Sequence, residues 1–165
     1  EDDTDRDYAH ALISVARDFA EQRNGMSIMP QSWEITYDGW WEEVLDLPMG
    51  PLIQVTSIQY RDPQSVMQTL PPSSYVVLGG YPSPQIAWAP NAPRPPMSSL
   101  PGSVKVSYQA GYSSAVEVPM SIKHAILLLV GHWFENREPL AINLNVVKIP
   151  MTVDALLDQT RVRWW

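Results

Sequence analysis

A chain of 165 residues, 45% hydrophobic and 18% charged, is long enough for a buried core and ordinary in composition for a globular protein. Its net charge of -7 and pI near 4.8 argue against a protein that grips nucleic acid, because the 11 basic residues are scattered rather than clustered. The absence of cysteine excludes disulfide scaffolds and thiolate metal sites, and the longest apolar run, residues 125–131, is too short to cross a bilayer.

Residues 1–3 read as a solvated lead-in to a first helix over residues 4–24. Tyr8, Leu12, Val15, Ala16 and Phe19 fall on one helical stripe. Thr4 is placed to cap it, with Asp7 three residues on, and Asn24-Gly25 supplies a left-handed stop. No charged n-region and apolar h-region open the chain, so no secretory leader is expected.

Residues 26–110 are β-rich. Trp33, Ile35 and Tyr37 alternate with Glu34, Thr36 and Asp38, the period of a half-buried strand over residues 32–39. Residues 52–61 form a second strand whose apolar phase slips between Val55 and Ile58, which predicts a bulge. Asp62-Pro63-Gln64-Ser65 turns the chain into a short return strand near residues 66–70. Residues 75–78 and 85–88 are further strands, with Gly79-Gly80 between them. Prolines crowd residues 81–101 so densely that a loop at one end of the sheet is expected there, with no continuous helix or central strand. Val104, Val106 and Tyr108 then alternate with Lys105, Ser107 and Gln109 in a last strand.

Pro119 reads as the first residue of a helix over residues 119–138, with Ile122, Ile126, Leu129 and Trp133 on one stripe. Leu127 and Leu128 fall off that stripe, towards Lys123, His124 and His132, where a monomer usually carries charge. A second packing partner is expected for them. Residues 140–149 (LAINLNVVKI) form an apolar segment that either crosses inside the domain or lies against a neighbouring subunit. Leu140, Ile142 and Leu144 are its candidate interface residues, beside Leu127 and Leu128. A final helix over residues 150–161 turns Val153, Leu156 and Leu157 inward, and residues 162–165 form a C-terminal tail. The expected fold class is α+β: one domain over residues 1–165, a small bundle of three helices with an antiparallel β insertion between the first and second.

Several segments also carry a resemblance. YQAGYSS followed by VPMSIKHAILLLVGHWFENRE is similar to the signature of the tailed-phage head–tail connector family, also called adaptor or head-completion proteins. Residues 5–25 resemble the family's first helix, SWEITYDG its first strand and VDALLDQTRVR its closing helix, in the same order and spacing over nearly the whole chain. The resemblance implies a structural virion protein of the capsid–tail neck, made in the host cytoplasm during assembly. It further implies a ring of this chain, dodecameric in the expected form, under the portal protein, extending the DNA channel and meeting a neck or tail-completion protein. Double-stranded DNA would pass without specific binding, and no membrane or cofactor is implied. In that family the C-terminal tail engages the portal, which makes Arg161, Arg163, Trp164 and Trp165 the candidate portal contact; the residues themselves equally allow Trp164-Trp165 to fold back onto their own domain. Aromatic and Arg residues are also the usual interface anchors.

Catalytic chemistry finds little support in the sequence. His124 and His132 lie two helical turns apart, but no HExxH pattern or carboxylate cluster accompanies them, and His10 has no evident partner. No GxSxG elbow, GxGxxG or GxxxxGK[ST] loop is present. Glu42-Glu43 beside Trp40-Trp41 reads as a solvated pair. A rival from another class is a small carbohydrate-binding β module with Trp40, Trp41 and Trp88 as sugar platforms. That reading explains the aromatics but neither the apolar helix nor the RVRWW terminus.

Overall fold

The computed structural model describes residues 3–79, 84–136 and 151–161. Among them the chain runs through helix α1 (Asp3–Asn24), seven strands and helices α2 (Met120–Glu135) and α3 (Met151–Asp158), so the fold is mixed α+β. It divides into two compact units. One takes both ends of the chain, Glu1–Ile28 and Ser114–Trp165, and the other is Met29–Ser113.

In the helical unit the three helices pack against one another. Ala16 and Ala20 of α1, Ile122, Ala125 and Leu129 of α2, and Val153 and Leu157 of α3 are buried. Small residues on α1 let it approach closely, while rings close the far end: Tyr8 lies 5.9 Å from Phe134, and Phe19 meets Trp133 edge-on at 6.4 Å. α1 ends where Asn24-Gly25 predicts. Gly25 takes φ 65°, and the Met26 N–H reaches back to the Glu21 carbonyl at 3.1 Å, a Schellman stop. The Glu21 carboxylate then accepts the Ile28 N–H at 2.7 Å, so the buried acid holds the exit of the helix. Asn24, also buried, donates to the Leu157 carbonyl at 3.0 Å and to Thr160 Oγ1 at 2.9 Å. One amide therefore serves the C-terminal end of α3.

Several boundaries differ from expectation: α2 ends at Glu135 and α3 at Asp158, short of 138 and 161, and the first strand spans Gln31–Tyr37 rather than 32–39. Asp3 is already helical, so Thr4 lies inside α1 rather than capping it, and Asp3 and Asp5 occupy the first turn, where the helix dipole favours acids. Pro119 stands one position outside α2 as its N-cap, and its carbonyl accepts the N–H groups of Ile122 and Lys123.

The second unit holds two antiparallel sheets among the described residues. The first has the order β1 (Gln31–Tyr37), β7 (Val104–Ala110), β3 (Leu52–Arg61), β4 (Met67–Thr69). The second has the order β2 (Val44–Asp46), β6 (Gln85–Trp88), β5 (Tyr75–Leu78). β7 is central, and its Val104, Val106, Tyr108 and Ala110 are buried in strict alternation. They join Ile58 and Leu70 from the first sheet's side, and Leu45, Leu47 and Ile86 from the second's, in one core. Tyr108 donates its hydroxyl to the Pro48 carbonyl at 2.7 Å, which satisfies the polar end of a fully buried ring. β3 keeps the predicted bounds, and its pairing with β7 slips between Val55 and Ser57, inside the predicted interval, and again between Leu52 and Gln54.

The proline-rich stretch corrects the expectation. β6 lies within it and is the central strand of the second sheet, because Gln85–Trp88 itself contains no proline and Pro84 stops short of the pairing. β2 was not expected at all. It is three residues long, next to Glu42-Glu43, and only its pairing with β6 defines it.

β1 and β7 pair from Tyr37↔Val104 to Gln31↔Ala110, so the first and last strands of this unit lie side by side. Gly111 follows at φ 128° with the Met29 carbonyl where a Cβ would stand. Only glycine fits both the angle and the contact.

Candidate functional site

The tryptophans proposed as sugar platforms are packed into one another. Trp41 and Trp88 stack with centroids 4.9 Å apart, and Trp40 meets both rings edge-on at 5.7 and 5.1 Å, with Tyr60 at 5.2 Å. Trp41 is buried. Trp40 Nε1 donates to the Pro95 carbonyl at 2.9 Å, and Trp88 Nε1 donates to the Trp41 carbonyl at 3.1 Å. Arg94 covers the Trp88 face at 5.5 Å while bonding the Glu42 carbonyl at 2.6 Å. The ring faces a sugar would need are occupied by other rings and a guanidinium. This cluster fastens the loop after β6 to the core, and the platform reading loses its basis.

The described residues contain no group of three His, Asp or Glu able to hold a metal ion, and no described helix is long and apolar enough to cross a membrane. The perturbed titratable groups serve structure. Burial, helped by the neighbouring Tyr37, pushes the Tyr108 phenol far above the usual tyrosine range. Burial and then the Asp46 charge raise Tyr37, whose hydroxyl donates to the Asp46 carbonyl at 3.1 Å. Burial alone raises Tyr75. Asp62 moves the other way. The Gln68 amide and the Val66 and Gln64 N–H groups hold its carboxyl below the usual aspartate value, and it organises the turn between β3 and β4.

The remaining candidates are surfaces. On α2, Met120, His124, Leu127 and Gly131 follow a spacing of i, i+4, i+7, i+11 and are all exposed, Leu127 by 65% and Met120 by 73%. They lie on the side away from Ile122, Ala125 and Leu129, so Leu127 stands where the off-stripe reading placed it. Leu128 is only half-buried and shares less of that exposed face. Leu140, Ile142 and Leu144 lie outside the described residues, as do Arg163, Trp164 and Trp165. Arg161 is exposed, with Nη1 4.0 Å from Asp158 Oδ1.

A second surface was not evident in the sequence. β3 pairs with β4 only from Gln59 to Arg61, so among the described residues no strand lies beside its first half on that edge. Among the described residues β5 likewise has a strand on one side only. A cleft of about 460 Å³ lies between them, lined among others by Ile53, Val55, Tyr75, Val77 and Gly79. The Tyr75–Leu78 run reads in one dimension only as a strand. Nothing in its composition says that one edge is open.

A scan against protein-family models finds no match, and no curated protein matches the sequence. Solved structures do share the fold. A chain in the virion of a native gene transfer agent particle aligns at 22% identity with a TM-score of 0.74, covering 95% of this chain and 78% of that one. Chains from the neck of the same kind of particle align as well. One, from the neck of the empty particle computed with C6 symmetry, covers 95% of this chain and 78% of that chain, with a TM-score of 0.73 at 22% identity. Another, from the neck of the native particle computed with C12 symmetry, covers 98% and 88%, with a TM-score of 0.74 at 22% identity. The likeness spans both units, and at this identity it establishes a common fold.

Proposed function

We propose that this chain is a structural, non-enzymatic subunit of the neck of a phage-like particle: a head–tail connector that closes into a ring beneath the portal and joins capsid to tail. The observation that carries the reading is the fold shared with neck chains over 95–98% of the length, one of them from a neck computed with C12 symmetry. The independent resemblance of four sequence segments to the connector family supports it, as does the exposed apolar face of α2.

Ring closure buries Leu127, and with it Leu128, against a neighbouring subunit, where Leu140, Ile142 and Leu144 also contribute. Arg161, Arg163, Trp164 and Trp165 form the portal anchor, and twelve weak tails acting together give firm attachment through avidity. The net charge of -7 suits a channel through which DNA slides, because an acidic wall does not hold phosphate. A neck or tail-completion protein takes the opposite face of the ring.

Cryo-electron microscopy of the full chain mixed with its portal protein tests this. The expected density is a ring below the portal with the tail from Arg161 onward between portal subunits. A ring whose tails fold onto their own domain overturns the anchor. A chain that never associates with portal or particle overturns the connector assignment.

A further inference from the structure

β5 is an outer strand of apolar composition. Among the other outer strands of the described residues, β1 carries Glu34, paired to Lys105 at 2.9 Å, β2 carries Asp46, and β4 is only three residues long and has no charge. Charges of this kind protect an edge against unwanted pairing. β5 reads Tyr-Val-Val-Leu with neither charge nor proline, and Val76, Val77 and Leu78 are exposed by 39%, 44% and 41%. Across the cleft, the first half of β3 offers its own open edge and Ile53, exposed by 37%. Among the described residues, two edges without a neighbouring strand and a lining that mixes apolar side chains with polar groups make a slot for an extended segment, which main-chain bonds would hold and alternate side chains would select.

The chain itself contains a segment of matching chemistry. In residues 140–149, Leu140, Ile142, Leu144 and Val146 alternate with Ala141, Asn143 and Asn145, the pattern of a strand with one apolar face, and no acid interrupts it. Fourteen residues, 137–150, separate the end of the described α2 segment from the start of α3, and these two helices pack together. Helix pairs of this kind are usually joined by about 2–8 residues, and longer connections are usually either functional segments or linkers. A fourteen-residue connection spans up to about 46 Å when fully extended, far more than joining two packed helices requires.

We infer that the slot between β5 and the first half of β3 receives residues 140–149 of a second copy of this chain. The donated strand presents Leu140, Ile142 and Leu144 to Val55, Tyr75 and Val77, and each subunit both gives and receives. This rests on the ring proposed above and says how neighbouring subunits lock. It also answers the open edge, because the slot is filled only once the subunits assemble.

Because the native chain has no cysteine, single thiols test the pairing directly. Full-length Val77→Cys would be mixed with full-length Ile142→Cys, Asn143→Cys or Leu144→Cys, oxidised, and resolved by non-reducing electrophoresis, with Val116→Cys as an exposed control. A disulfide needs Cβ atoms about 3.8 Å apart. The expected result is a cross-linked pair of copies with Ile142→Cys or Leu144→Cys and little with Asn143→Cys or the control, since alternate residues face opposite ways. Native mass spectrometry of the unmodified chain reports the assembly state alongside. Rings without this cross-link overturn the inference and leave the connector reading intact. A bridge formed only within a Val77→Cys/Leu144→Cys double variant, and never between mixed copies, shows the segment returning to its own chain and likewise overturns it. The absence of both rings and cross-link overturns the inference together with the proposed ring.

Discussion

Replacing Leu127 with Ala separates assembly from folding. In the isolated chain this side chain is 65% exposed, so truncating it removes little that the monomer buries, and stability should change by less than about 0.5 kcal/mol. Fully burying a leucine is worth about 1.5–3 kcal/mol, so covering the exposed 65% at a subunit contact recovers about 1–2 kcal/mol. Losing it weakens each contact by about 5- to 30-fold. Ile122→Ala, five residues back on the opposite face, is the control. Ile122 is fully buried, and its truncation should cost about 2–5 kcal/mol of folding stability. Urea unfolding measures the first quantity, and sedimentation velocity over a concentration series measures the second. If Leu127→Ala destabilises the monomer as much as Ile122→Ala, Leu127 is a core residue. If assembly occurs at the same concentration as for the parent chain, Leu127 is not at the subunit contact.

Three further outcomes test the fold that carries these surfaces. Gly111→Ala forces a Cβ onto the Met29 carbonyl and 2.8 Å from the Pro30 nitrogen, at φ 128°. It should destabilise the β unit by about 3 kcal/mol or more, seen as a lowered melting temperature in near-ultraviolet circular dichroism. Asn24→Ala removes the two bonds that tie the end of α1 to Leu157 and Thr160, and urea unfolding should show a loss of about 1–3 kcal/mol. Asp62 has a folded pKa held below its ordinary 3.8, so what it contributes is present above that value and is lost as pH falls through the folded value. The amide resonances of Gln64 and Val66 should therefore titrate with a midpoint below 3.8, and in Asp62→Asn this titration should vanish.

Local pattern reached a long way into this chain. The bounds of β3, β5 and β6, the slip near Val55 and the Asn24-Gly25 stop are all set by neighbours in sequence, through strand period, phase and a left-handed glycine. The exposed position of Leu127 was legible for the same reason, because it falls off the stripe that carries Ile122 and Leu129. The division into two sheets was not legible, since strand order is decided by partners distant in sequence. Thus β2 exists through Val44↔Ala87 and Leu45↔Ile86, and β6 becomes central despite its proline-rich surroundings. The three tryptophans illustrate a different limit. Composition shows that aromatics are present, but whether they face water or one another depends on Trp88 lying 4.9 Å from Trp41 across 47 residues of chain. The open edge of β5 was hidden for the first of these reasons.

The pairing of Gln31 with Ala110 has a consequence for how such a protein can change over time. The chain enters the β unit and leaves it through adjacent strands, whose paired Cα atoms stand about 5 Å apart. A module with its two ends so close can be lengthened, pruned or exchanged without pulling apart the helices on either side of it in sequence. The helical unit, drawn from both chain ends, can thus keep one geometry while the β unit is rebuilt to suit a new neighbour. Gly111 lies against the Met29 carbonyl at the junction, so a transplanted β unit should carry its own version of both.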